Sequence, residues 1–96
     1  MMNKMNIALD YDNTYTLDSD LWDVFIKLLA MRGHTVYIVT MRYVTQPIEP
    51  ILDLVPGNVH YTSGKAKRKF MTEHNIRIDV WVDDIPDFIL YDAEDI

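Results

Sequence analysis

Apolar residues occur along this chain in short continuous runs, separated by segments with helical periodicity. The runs are rich in aliphatic and β-branched residues, and they predict four strands, at residues 5–10, 35–39, 59–64 and 78–84. Unbroken apolar runs of this length are typical of parallel strands that are covered on both faces.

The clearest helical segment is "DSDLWDVFIKLLAMRG". Asp18 or Ser19 provides a side chain suited to its N-terminal cap, and Gly33 follows its end. Its large apolar residues recur at helical spacing: Leu21, Val24, Phe25, Leu28 and Leu29. The segment therefore predicts a long first helix.

Three further segments lie between or after the strands. Pro47 and Pro50 are suited to the entry of a short helix that ends before Pro56. The segment "KAKRKFMTEHNI" predicts a helix that buries Ala66, Phe70 and Met71. Residues 85–96 indicate a short helical turn or an edge strand.

Alternating strands and helices predict a single small α/β domain over residues 1–96. We expect a three-layer, Rossmann-like architecture with a parallel sheet of about four or five strands.

Composition narrows the function classes. A net charge of −6 makes long nucleic acid an unlikely partner, because a nucleic-acid footprint needs a basic face. The chain has no cysteine, no apolar run long enough to cross a membrane and no recognisable secretory leader. These features predict a cytoplasmic protein without membrane contact.

Polar side chains follow three of the predicted strands. Asp10 and Asp12 come after the first, Thr40 ends the second, and Asp83 and Asp84 end the fourth. Because ligands of parallel sheets bind beyond the carboxyl ends of the strands, we expect these residues to converge on one edge.

Clustered carboxylates repel one another unless a cation neutralises them, and Mg²⁺ is the hard, oxygen-seeking ion that suits them. Beside such a cation a carboxylate can attack phosphorus, and a second acid can transfer the proton of the leaving group. Thr40, Lys67 and backbone N–H groups would then hold the phosphoryl oxygens.

Four segments resemble the motifs of the haloacid dehalogenase (HAD) superfamily of phosphohydrolases. "DYDNT" resembles its DxDx[TV] motif, and "VYIVT" resembles the strand that ends in Thr or Ser. "AKRKFM" resembles the motif with a Lys at a helix start, and "WVDDIPD" resembles the strand that ends in an acidic cluster. The four occur in the family's order over nearly the whole chain.

The resemblance implies a role for each matched residue. Asp10 would be the nucleophile and a metal ligand, and Asp12 the general acid/base, with its backbone carbonyl also facing the metal. Thr14 would stabilise the loop and Thr40 would bind the phosphoryl group. Lys67 would offset the charge of nucleophile and phosphate.

The resemblance leaves some positions open. Asp83 would be a further metal-binding carboxylate, supported by Asp84 or by Asp87, which matches the family's spaced-acid variant. Lys65 competes with Lys67 for the lysine motif, and Lys67 is preferred because Phe70 and Met71 then follow at the expected offsets.

Three residues are candidates for substrate binding: Thr14, Met41 and Arg42. Arg42 would bind a substrate anion, although a solvated surface arginine fits its position equally well.

Family members commonly carry a cap domain, and here neither gap between the motifs is long enough to fold as one. The resemblance thus implies a minimal, capless, Mg²⁺-dependent phosphatase. Its substrate would be a phosphorylated metabolite, a nucleotide or a macromolecular end. An open site of this kind is closed by a large substrate or by oligomerisation, so a homo-oligomer is one expectation.

Two other functions compete with the phosphatase. A catalytically idle HAD-like module would bind metal, phosphate or a protein. A phosphoacceptor receiver domain would place its accepting Asp after the third strand, whereas this chain has "HYTSG" there.

Overall fold

A computed structural model describes residues 3–96 of the protein. Its four strands form one all-parallel sheet in the order β3-β2-β1-β4: β1 Asn6–Leu9, β2 Thr35–Thr40, β3 Val59–Tyr61 and β4 Val80–Val82. Its three α-helices are α1 Ser19–Met31, α2 Lys67–Glu73 and α3 Asp87–Leu90. The predicted small α/β domain with a Rossmann-like, three-layer architecture is confirmed.

The first face of the sheet is covered by α1. Ile26 of α1 is 1% exposed and packs in one cluster with Leu9, Val36 and Ile38 of the central strands. Trp22 and Leu29 complete the contact. They lie one turn before Ile26 and one turn after it, so a single helix face supplies this part of the core.

The opposite face is covered by α2. Ala8, Val39 and Met71 form its buried cluster, and Phe70 packs against them while remaining half-buried. Ala66 is buried at the start of α2, as the sequence predicts, and α3 packs beside α2. Because Ala8 and Leu9 are neighbours in β1, their burial on opposite faces follows from the alternation of side chains in a strand.

The prediction of a helix that begins at Pro47 or Pro50 is wrong. Residues 41–55 have no helix, and only a 3₁₀ turn, Pro56–Asn58, follows them. Pro50 disfavours the helical conformation of Glu49 and so interrupts a helix that begins at Pro47. A helix that begins at Pro50 is interrupted at Asp53, whose φ of 65° is left-handed. Ile48, Ile51 and Leu54 nevertheless pack on the α1 side of the core, which explains the helix-like apolar spacing.

The last two strands are shorter than the predicted residues 59–64 and 78–84. β3 and β4 are each only three residues long. The C-terminal segment forms α3 and a 3₁₀ turn, Ala93–Asp95, and adds no edge strand.

The cap and the end of α1 follow the sequence closely. The Asp18 carboxylate accepts a hydrogen bond from Leu21 N at 3.2 Å, and Gly33 adopts a φ of 85° directly beyond the helix. The predicted spacing, however, includes residues of two different faces. Leu21, Val24 and Leu28 are each more than half exposed.

No α-helix within residues 3–96 is long and apolar enough to cross a membrane.

His60 in β3 makes stability depend on pH. Its ring packs between Tyr37 and Phe70, and its Nε2 is buried without a hydrogen-bond partner among the described residues. Burial, together with the nearby His74, lowers the pKa of His60 below its ordinary value of 6.5. The unfolded chain therefore binds this proton more readily, and folding stability is lost as pH falls below about 6.5.

We expect His60→Phe to flatten this part of the pH dependence, because it keeps the aromatic packing and removes the titrating group. The measurement is the thermal midpoint of both proteins between about pH 5 and 8. An equal loss of stability on acidification in the two proteins would show that His60 is not the responsible group.

Candidate functional site

Asp10 is placed by the pairing of β1 with β4. Its backbone N donates to the carbonyl oxygen of Val82 at 2.9 Å, which continues the parallel ladder one residue beyond Leu9. The side chain is thereby fixed at the carboxyl edge of the sheet, where it is 8% exposed. A buried carboxylate requires compensating partners, and the surrounding elements provide them.

The first partner is Lys67, the first residue of α2. Its side chain is 1% exposed, and its Nζ lies 2.8 Å from Asp10 Oδ1 and 2.6 Å from Asp83 Oδ2. Lys67 is four residues before Met71, which is buried against the sheet, so both side chains lie on the same helix face. Packing of Met71 therefore directs Lys67 to the two carboxylates.

The second partner is Thr14, at the end of the turn that follows Asp10. The hydroxyl Oγ1 of Thr14 lies 3.2 Å from Asp10 Oδ2 and 3.1 Å from Asp84 Oδ1, and it can donate to either carboxylate. The turn contains Asn13 at a φ of 59°, a left-handed conformation that Asn tolerates better than most residues. The Thr14 hydroxyl therefore connects Asp10, which follows β1, with Asp84, which follows β4.

Three carboxylates form a group that could hold a metal ion. One oxygen from each of Asp10, Asp83 and Asp84 lies within 4.8 Å of the others. With all three ionised, one Lys67 ammonium leaves two negative charges without compensation. Oxygen ligands with residual negative charge suit hard cations as a class.

Two alternatives from the sequence lie elsewhere. Asp87 begins α3, is exposed, and is not a member of the carboxylate group. Lys65 is exposed and lies 3.9 Å from Asp92, whereas Lys67 contacts Asp10. The structure thus brings Asp84 and Lys67 to the site in preference to Asp87 and Lys65.

Burial raises the pKa of Asp10 to about 7, and the Asp84 carboxyl acts in the same direction. Lys67 lowers that pKa, but it does not offset the loss of hydration. The positive charge of Lys67 and of any bound cation favours the ionised form that a nucleophile requires.

Asp12 has a different partner. Nε and Nη2 of Arg42 each donate to one carboxylate oxygen of Asp12, both at 2.8 Å. This bidentate contact holds the pKa of Asp12 below its usual range. Arg42 also lies 5.0 Å from the centre of the Tyr11 ring and donates to the carbonyl oxygens of residues 46 and 47.

Sequence reasoning missed the Asp12–Arg42 pair, because it considered Arg42 only as a contact for a substrate anion or as a solvated surface residue. β1 ends at Leu9, and residues 11–14 form a turn. Asp10 and Asp12 therefore belong to two different ion pairs.

Thr40 completes the edge from β2. It is 1% exposed, and its Oγ1 accepts a hydrogen bond from Arg42 N at 3.2 Å. A cavity of about 210 Å³ opens here, lined by Asp10, Asp12, Asn13, Thr40, Met41, Asp84, Ile85 and Phe88. Ile85 and Phe88 were not predicted, and their only sequence signal is their position directly after the acidic cluster. The cavity is therefore lined by residues that follow β1, β2 and β4.

A larger cavity, of about 610 Å³, lies against α2 and β4 and is lined by Arg68, Arg77, Ile78, Asp79 and Trp81, among others. It includes none of the carboxylates grouped around Lys67, so its size alone does not make it the reactive site.

No protein-family model matches this chain, and no curated protein or solved structure matches it. The functional inference therefore depends on the geometry of these side chains.

Arg42→Gln tests how the loop after β2 is held. The shorter neutral side chain cannot bridge Asp12 and the carbonyl oxygens of residues 46 and 47, so the backbone amides of residues 43–46, 48 and 49 should exchange hydrogen faster. Because the pair is partly exposed, global stability should change by less than about 1 kcal/mol. Hydrogen-exchange mass spectrometry checks this, with the exposed Arg68→Gln as control. Unchanged protection of the backbone amides of residues 43–46, 48 and 49 would contradict it.

Proposed function

We propose that this protein is a Mg²⁺-dependent phosphohydrolase of the HAD type, which forms an aspartyl-phosphate on Asp10. The observation that carries the proposal is the contact of Lys67 with Asp10 and Asp83 at the carboxyl edge of the sheet. It unites three of the four HAD-like segments around one buried carboxylate, and Thr40, from the remaining segment, lines the same cavity as Asp10.

In the proposed reaction a carboxylate oxygen of Asp10 attacks the phosphorus of a phosphomonoester, and the bond to the leaving oxygen breaks. Lys67 holds the orientation of Asp10 and offsets its negative charge as the anionic substrate approaches. Thr40 and backbone N–H groups after β1 bind phosphoryl oxygens. Mg²⁺, held by Asp10, Asp83 and Asp84, would supply charge neutralisation for the phosphoryl group.

Asp12 lines the cavity but is not a member of the group formed by Asp10, Asp83 and Asp84. We assign the proton transfers to it. Asp12 first has to separate from Arg42 and take up a proton, because the ion pair keeps the carboxylate ionised. It then gives that proton to the leaving alkoxide and takes one back from the water that attacks the acyl phosphate, so that Asp12 is protonated again for the next cycle. Inorganic phosphate leaves and Asp10 is regenerated. The Asp12 backbone carbonyl remains a predicted further contact of the metal.

The substrate class proposed is a phosphomonoester on a small metabolite, a nucleotide or the end of a macromolecule. A net charge of −6 disfavours long nucleic acid. The absence of cysteine from the sequence is compatible with the cytoplasm, which is the compartment we propose.

The test is to trap the phosphoenzyme. Protein incubated with Mg²⁺ and an aryl or acetyl phosphate is quenched in acid, and its intact mass and peptides are measured. We expect one added phosphoryl group on Asp10, and more of it in Asp12→Asn, because that variant lacks the base for hydrolysis. Phosphate release without Mg²⁺, or phosphorylation at another residue, would contradict the mechanism.

A second candidate is a non-catalytic module that binds metal or phosphate. The contact that favours it is the bidentate Asp12–Arg42 pair, because a carboxylate held by a guanidinium is a poor proton donor. This module would bind Mg²⁺ by calorimetry and would neither accumulate a phosphoenzyme nor release phosphate from a phosphometabolite panel.

A further inference from the structure

Helix α1 has a second apolar face, opposite the one that packs on the sheet. Leu21, Val24, Leu28 and Met31 recur at intervals of three and four residues, and each is at least 55% exposed. Leu17, in the turn before the helix, is 75% exposed and extends the same pattern. We call these five residues the α1 stripe. Intervals of four and three are the spacing of helices that pair along a seam.

The stripe is not part of the core. At 100° per residue its four members within α1 lie on the side of the helix away from Ile26, which is 1% exposed. Scattered exposed apolar residues need no explanation, but a continuous row on one helix face marks an interaction surface.

The charges beside the stripe indicate what covers it. Asp18 and Asp20 flank its N-terminal half, and Lys27 and Arg32 flank its C-terminal half. All four are exposed, and within residues 3–96 none of them forms an ion pair. An acidic half and a basic half on one helix face are complementary to the same face turned end to end.

We propose that the α1 stripe is the interface of a homodimer in which two copies of α1 pair antiparallel about a two-fold axis at Val24. Counted from that axis, Leu21 of one copy falls beside Leu28 of the other, and Leu17 falls beside Met31. In the same register Asp20 falls beside Lys27, and Asp18 falls near Arg32. One axis thus satisfies both the apolar and the charged positions, as an isologous interface requires. A parallel pair would oppose acid to acid and base to base.

The size of the stripe sets the expected affinity. From Leu17 to Met31 it is roughly 20 Å long, and a helix is about 10 Å wide. Each copy would bury on the order of several hundred Å², at the lower end of specific interfaces. We therefore expect a monomer–dimer equilibrium with a Kd of roughly 10–100 μM.

Sedimentation velocity over a concentration series tests the dimer. The wild type should form dimers at high concentration, and Leu28→Glu should lower the association constant at least about tenfold. The matched control is Leu52→Glu, an equally apolar residue that is 75% exposed outside α1. A wild type that stays monomeric to about 0.5 mM overturns the proposal. Binding of that monomer to anionic vesicles through the stripe would assign the face to a membrane instead.

The charges provide a second test. Asp20→Lys and Lys27→Glu should each weaken the dimer, because each places like charges beside one another. The double variant restores the complementary pattern with its signs exchanged, so it should regain dimerisation. Losses that simply add in the double variant would overturn the pairing of these two residues.

Cross-linking tests the direction, since the chain has no native cysteine. Val24→Cys should cross-link to its own copy readily with copper phenanthroline or a short bismaleimide. Met31→Cys should not, because the two copies of residue 31 would lie about 20 Å apart in the antiparallel pair. Equal cross-linking of both variants would show a parallel pair and overturn the proposed arrangement.

Discussion

Asp10→Asn is expected to reduce phosphomonoester hydrolysis by at least about 10³-fold while leaving the protein folded. The amide has nearly the shape of the carboxylate, but it does not form the acyl phosphate. Because Asp10 is 8% exposed and burial raises its pKa to about 7, its negative charge is poorly solvated in the folded protein. Removing that charge should change the free energy of unfolding by no more than about 1 kcal/mol.

The measurement is phosphate release from an aryl phosphate with Mg²⁺, together with the thermal midpoint of each protein. Lys67 retains its contact with Asp83 at 2.6 Å in the variant, so the lysine is not left unpaired. The control is Asp95→Asn, which removes an exposed acid outside both the site and the α1 stripe and should leave the rate unchanged. Substantial hydrolysis by Asp10→Asn would exclude Asp10 as the nucleophile.

The meeting of Asp10, Asp83 and Lys67 is predictable from sequence, because parallel topology determines it. Once residues 5–10 and 78–84 are interpreted as parallel strands, the acids at their ends must share one edge. The choice of Lys67 over Lys65 depends on helical phase, because only Lys67 lies a whole turn before the buried Met71. Both inferences start from a local sequence pattern, and the geometry of a parallel sheet or of a helix then gives the position of the side chain in space.

The Asp12–Arg42 pair lies beyond such rules. Its partners are 30 residues apart, and the contact depends on the path of the loop after β2. Sequence reasoning interpreted the apolar spacing of that loop as a helix, although Ile48, Ile51 and Leu54 pack without one. In α1, periodicity identifies a helix but cannot say which of two apolar faces is buried. Ile26 and Leu28 are equally apolar, and only the tertiary structure separates them.

Lys67→Met is expected to have the largest effect on stability. The Lys67 side chain is 1% exposed, and its ammonium compensates Asp10 and Asp83, which are themselves buried. Methionine fills a similar volume and leaves those carboxylates without their counter-ion. Breaking a buried ion pair in this way costs about 3–5 kcal/mol. In a domain of this size that loss corresponds to a fall of roughly 12–40 °C in the thermal midpoint.

The origin of the loss can be tested in the same protein. If uncompensated charge is responsible, adding Asp83→Asn to Lys67→Met should recover part of the stability. Mg²⁺ should also stabilise Lys67→Met more than the wild type, because a cation bound by the three carboxylates replaces the missing positive charge. The matched control is Lys65→Met, an exposed neighbour for which we expect little change. If Lys67→Met and Lys65→Met melt alike, and Mg²⁺ stabilises neither, the ammonium does not hold the carboxylates together. The site would then lack the electrostatic basis on which the phosphohydrolase proposal depends.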